Sequence, residues 1–142
     1  MRYELCIEGT QDTITITDKN VIQKIDFEIY QNDKQANDRS DQLKNTLTIV
    51  GLLNEKSKNE TRQILEWSMQ VSKERIYKTV SIQIYVNEIM VRDYYLRNMF
   101  CTSYSEKFST MESGENHTIN EGNFILIMTQ QKGSIDTIKV ES

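Results

Sequence analysis

Side chains able to do chemistry are few in this sequence and poorly spaced for it. His117 is the only imidazole, and it stands in a polar Ser-Gly-Glu-Asn-His stretch. A hydrolase needs a nucleophile, a base and a group that orients the base. Nothing flanking His117 supplies the other two. One histidine with two distant cysteines, Cys6 and Cys101, does not make a histidine-based zinc site. Glu112 and Glu115 form a carboxylate pair, but in a polar stretch that reads as solvated surface. The five glycines follow no phosphate-loop spacing. Met90, Met99 and Met128 fall on strand patterns and read as core or strand-face filling. Tyr94, Tyr95 and Tyr104 have the rings to stack bases, yet a net charge of −4 and a pI near 5.1 leave them without a basic groove. These residues point to no catalytic group, no metal and no cofactor.

The chain-wide properties narrow the class further. A chain of 142 residues is expected to form one domain, 1–142, with a buried core. No apolar run approaches the roughly 18 residues of a membrane span. Met1-Arg2-Tyr3-Glu4 alternates at once and has no signal-peptide core. The expectation is synthesis in the cytoplasm without a signal peptide. Two cysteines in such a chain read as reduced core residues rather than a disulfide. Proline is absent, which suits long strands in a continuous sheet.

Elements that would position these residues are organised around Lys44–Val86. Asn45 to Val50 is rich in β-branched residues, with Leu43, Leu47 and Ile49 on one face and Thr46 and Thr48 on the other. Gly51 breaks that pattern. Ser57 and Glu60 have the spacing of a capping box. Ile64, Leu65, Ser68, Val71 and Ser72 then follow helical spacing, with Trp67 at the border of the stripe. The pattern predicts a single helix over 58–72, too short to be stable alone. Ile64, Leu65 and Trp67 should anchor it to a sheet. Arg75 to Val86 follows as a strand with Val80, Ile82, Ile84 and Val86 on one face.

Further strands are predicted at Tyr3–Glu8 and Thr13–Thr17, joined as a hairpin, and at Val21–Tyr30 with Ile25, Phe27 and Ile29 inward. Asn87-Glu88 should turn the Arg75–Val86 strand back into Ile89–Leu96. Met99–Phe108, Phe124–Thr129 and Ile135–Val140 complete the set, the second apolar on both faces. Two polar stretches, Gln31–Gln42 and Ser109–Asn120, read as loops. The fold class is therefore mainly β with one α-helix: a β-barrel of two packed antiparallel sheets flanked by a single helix.

Asp38-Arg39-Ser40, Asn45-Thr46-Leu47-Thr48-Ile49 and Ile64-Leu65-Glu66-Trp67-Ser68-Met69 carry a family resemblance. In this order they resemble the tube-forming haemolysin-coregulated proteins of type VI secretion systems. They also resemble the tail-tube subunits of contractile phages and phage-like injection particles. In that group a polar Arg-Ser loop leads into a Thr-rich strand, and a helix with an aliphatic-Glu-Trp-Met run follows. This chain has Lys44-Asn45 where the family usually has a glycine, and its polar loop lacks the usual proline and glycine.

The resemblance implies a structural, non-enzymatic subunit that forms rings, usually hexameric, stacked into a hollow inner tube. Acidic, Thr- and Gln-rich strand faces would line a water-filled lumen. Asn32, Asp33, Lys34, Gln35, Asp38, Arg39 and Asp41 would form the inter-ring contact. The implied partners are other copies of the chain, then sheath, baseplate or spike proteins, with no nucleic-acid specificity. The chain would end up in an assembled or released particle. The other reading of the same features is a non-enzymatic adaptor or chaperone module of the same kind of particle.

Overall fold

Period-2 alternation runs through most of the chain, and each alternating run becomes a strand. The computed structural model describes residues 1–31, 43–114, 117–131 and 139–141. Its elements are β1 (Arg2–Glu8), β2 (Thr13–Ile16), β3 (Ile22–Gln31), β4 (Leu43–Leu52), α1 (Lys58–Ser68), α2 (Lys73–Ile76), β5 (Lys78–Val86), β6 (Ile89–Ser113), β7 (His117–Gln130) and β8 (Lys139–Glu141). Seven strands lie in the order β2-β1-β5-β6-β7-β4-β3, with every neighbour antiparallel. β8 adds to β6 at Asp93–Tyr95. Among the described residues this is one sheet, and it does not close: β2 and β3 are its two edges.

β6 is the strand on which the sheet turns. Its first part pairs with β5 as far as Met99, and from Met99 to Ser113 it pairs with β7. A register shift between Cys101 and Ser103, and a left-handed Asn98 at φ 57°, mark the bend. The two arms share one hydrophobic core. Leu5, Ile7, Val80 and Ile82 enter it from one arm, and Leu47, Ile49, Leu126 and Met128 from the other. Phe27 on edge strand β3 reaches Tyr94 on β6, with ring centroids 4.8 Å apart. The expected hairpins β1–β2 and β5–β6 are present, the latter turning through Asn87 and Glu88, both at positive φ.

Gly51 does not end β4. It sits inside the strand, where a Cβ would come within 2.5 Å of the Phe124 ring. It breaks the side-chain pattern because Phe124 fills its space.

Other expectations are corrected. The helix stops at Ser68, not Ser72, and Val71 is 90% exposed. The last turn tightens, with Met69 N–H donating to the Glu66 carbonyl and Gln70 N–H to that of Trp67. Arg75 lies in α2 rather than in a strand. Ser57 and Glu60 form no capping box, because the buried Ser57 hydroxyl donates to the Leu52 carbonyl at 2.7 Å instead. Ser109–Ser113 and His117–Asn120 are strand rather than loop: they form the outer part of the β6–β7 hairpin, with Ser109 opposite Glu121 and Ser113 opposite His117. Backbone pairing needs no apolar side chain, so polarity there marks exposure rather than a loop. Ile29 is exposed, since β3 outruns the core that covers Ile25 and Phe27. Cys6 faces outward beside Glu8, while Cys101 packs against the core. Burial pushes both thiols above their usual range. The stretch 32–42 and most of Ile135–Val140 lie outside the described residues.

Candidate functional site

α1 packs against β2 and β6. Ile64 and Trp67 are buried and Leu65 is half-buried. Trp67 also spends its indole N–H, which donates to the Ile76 carbonyl at 2.8 Å and ties α1 to α2. The Thr61 hydroxyl bonds back along the helix, donating to the Ser57 carbonyl at 2.7 Å. From the sheet, the Tyr104 hydroxyl donates to Glu106 at 2.7 Å and lies 3.4 Å from the Thr61 carbonyl. Desolvation, then the neighbouring Glu106, pushes the Tyr104 phenol far above its usual range.

Sequence reasoning missed a buried lysine. Lys78 reads as a surface residue at the start of a strand, yet its side chain is 5% exposed. Its ammonium pairs with Asp12 at 2.7 Å and lies 5.8 Å from the centre of the Trp67 ring. A cleft of about 220 Å³ opens there, lined by Asp12, Trp67, Arg75 and Lys78 among others. Arg75 donates to Gln11 in the same wall, at 3.2 Å. Each cation in the cleft is already engaged, so the pairing fastens α1 and α2 to the β1–β2 turn. No feature of the sequence signals it beyond the rarity of a lysine opening an apolar strand.

His117 stands exposed at the start of β7, remote from both cysteines along the sheet. Among the described residues, no three of His, Cys, Asp and Glu gather as metal ligands.

What the fold does build is a wall. Leu47, Ile49, Phe124, Leu126 and Met128 point into the core, so alternation sends their neighbours to the opposite face. There Val50, Ile125 and Ser105 form one cross-strand row, and Thr48, Ile127 and Ser103 the next. The strand expected to be apolar on both faces, β7, is thus buried on one side and half-buried on the other. Lys24, Asp26 and Glu28 of β3 border the wall, with Lys24 and Asp26 paired at 3.3 Å. The wall is uncharged at its centre and mixes small polar side chains with branched apolar ones.

The sheet edges add to this. Among the described residues β2 pairs only with β1, and β3 only with β4. An open edge is a template for another strand.

The fold is similar to that of Hcp1 from Flavobacterium johnsoniae. The TM-score is 0.56 at 9% identity, over 94% of this chain and 96% of that one. A type six secretion system protein matches with TM-score 0.52 at 10% identity, over 88% of this chain and 78% of the other. A structure of the anti-feeding prophage baseplate, 6-fold symmetrised, matches with TM-score 0.50 at 11% identity, over 99% and 93%. The resemblance carried by the Thr46–Ile49 and Ile64–Met69 segments therefore holds at the level of fold. No family model matches the chain, and no curated protein does. Like Hcp1, this chain uses nearly its whole length for the shared fold.

Proposed function

We propose that the chain is a structural, non-enzymatic subunit that assembles into rings, stacked into the inner tube of a contractile injection or secretion apparatus. The observation that carries this reading is an Hcp1-like sheet left open at both edges. The β2 edge and the β3 edge are unlike surfaces. A contact between unlike surfaces passes from copy to copy and closes into a ring when the rotation allows. Six copies is the ring size this reading adopts. Within a ring the two arms of each sheet serve as the two packed layers of a barrel wall. The face of Thr48, Ser103 and Ser105, with Val50, Ile125 and Ile127 between them, then lines the lumen.

Asn32, Asp33, Lys34, Gln35, Asp38, Arg39 and Asp41 serve in this reading as an inter-ring contact. They connect β3 to β4 with almost no apolar side chain, where a turn of about two to five residues would suffice. Partners beyond the chain itself are sheath, baseplate or spike proteins. The subunit is made in the cytoplasm and becomes part of an assembled or released particle.

Replacing 32–41 with a short glycine-containing turn tests the contact. Sedimentation and electron micrographs should then show a folded subunit that forms rings but no tubes. Tubes of parental length from the shortened chain would remove this segment from the contact. A parent chain that stays monomeric at high concentration and at every salt would put the adaptor or chaperone reading in place of the tube.

A further inference from the structure

The two ends of the sheet are chemically unlike. At one end β6 and β7 run on past β4. Asn123 is the last β7 residue paired to β4, and the Leu53 N–H still donates to the Gly122 carbonyl at 2.8 Å; beyond that point Ser109–Ser113 and His117–Glu121 pair, among the described residues, only with each other. A two-stranded ribbon is marginal on its own in water. This one carries three exposed apolar side chains: Phe108 at 68%, Met111 at 55% and Ile119 at 45%. Met111 and Ile119 lie directly opposite each other and make one apolar cross-strand pair. Glu121 shares the face of Met111 and Ile119, Glu112 lies on the opposite face with Phe108, and both carboxylates are exposed.

At the other end the exposed groups are complementary. Ile29 lies opposite Asn45, whose side-chain amide donates to Gln130, and Gln130 in turn donates to the Arg97 carbonyl at 2.9 Å. Ile29, Lys44 and Arg97 therefore share that end, and all three are exposed. From Ile119 to Gln130 along β7 is roughly 36 Å at about 3.3 Å per residue. One chain cannot bring its own two ends together.

We infer that the β6–β7 ribbon of one copy docks on the Ile29, Lys44 and Arg97 end of a second copy, displaced along the strand direction. Apolar meets apolar, and the ribbon carboxylates meet two cations. The second copy is chosen because both the apolar and the charge complements are present on the same chain, at opposite ends. The two surfaces lie at opposite ends along the strand direction, so the contact translates each copy along that direction and repeats as an open stack. This deepens the tube reading and rests on it: it adds to stacking the ribbon of one copy and, on the next copy, the residues that flank the segment between β3 and β4.

Sedimentation velocity and negative-stain microscopy of the full chain test the inference. M111E/I119E should keep its circular dichroism spectrum and raise the concentration at which stacks form by about tenfold or more. E112K/E121K should do the same, and adding K44E/R97E to it should restore stacking to within about threefold of the parent. The charge exchange keeps the test decisive should M111E/I119E fail to fold. Stacking at the parental concentration by the folded variants, or no rescue by the exchange, overturns the ribbon contact and leaves the tube reading standing. A parent that never assembles overturns both.

Discussion

Trp67 is the residue on which the most is staked. It fills the junction of α1, α2 and the buried Lys78–Asp12 pair. Trp67→Ala should cost about 3–5 kcal/mol in chemical denaturation. A loss under about 1 kcal/mol would mean the helix is not docked through it. Gly51 makes a second test, because a Cβ there meets the Phe124 ring and lies 2.9 Å from the Val21 carbonyl. Gly51→Ala should cost about 1–3 kcal/mol, and an unchanged denaturation midpoint would contradict the packing. Tyr104 offers a pH test. Its folded phenol holds its proton more tightly than the unfolded one. Its contribution is therefore full below the ordinary tyrosine pKa of about 10 and is lost as pH rises above it. Stability of the parent should fall more steeply above about pH 10 than that of Tyr104→Phe, and parallel curves would refute the assignment. At this scale the sequence was informative about apolar partners and silent about polar ones. Ile64 and Trp67 announce burial by type and spacing, whereas Lys78 is buried only because Asp12, from a distant turn, comes to meet it.

Strands in this chain were legible wherever one face is buried, because only there does burial impose alternation. That is why β1, β2 and β4 match their expected positions closely, and why β5 ends at Val86 as expected although it begins at Lys78 rather than Arg75. The β6–β7 ribbon was misread as a loop for the converse reason: with both faces exposed, nothing selects apolar residues at every second position. The helix was read too long because Val71 continues the apolar spacing, although the chain has already turned away and left it exposed. The ribbon's isolation has a measurable consequence. Amides of Phe108–Glu112 and Thr118–Glu121 should exchange with solvent at least ~100-fold faster than those of Phe124–Met128 in the unassembled chain, and should become protected on assembly. Equal protection of both groups in the monomer would mean that the ribbon stands without a partner.

At the scale of the whole molecule, the described residues form a bent, open sheet with one core, one covering helix pair and two exposed ends of opposite character. Its architecture was legible in outline: mainly β, a hairpin start, a central helix, a long return hairpin. The single continuous sheet was not, since pairing across β6 depends on a bend at Asn98 that no local pattern announces. The candidate site was less legible still, because a neutral wall and two open edges have no motif. What they amount to is decided by whether copies associate. The most direct measurement is sedimentation velocity of the purified full chain across a wide range of concentration and salt, with electron micrographs of the same samples. The tube reading predicts rings with a central channel at the higher concentrations, and stacks that shorten as salt is raised while the fold persists. A single monomeric species of 16.7 kDa under every condition would contradict it.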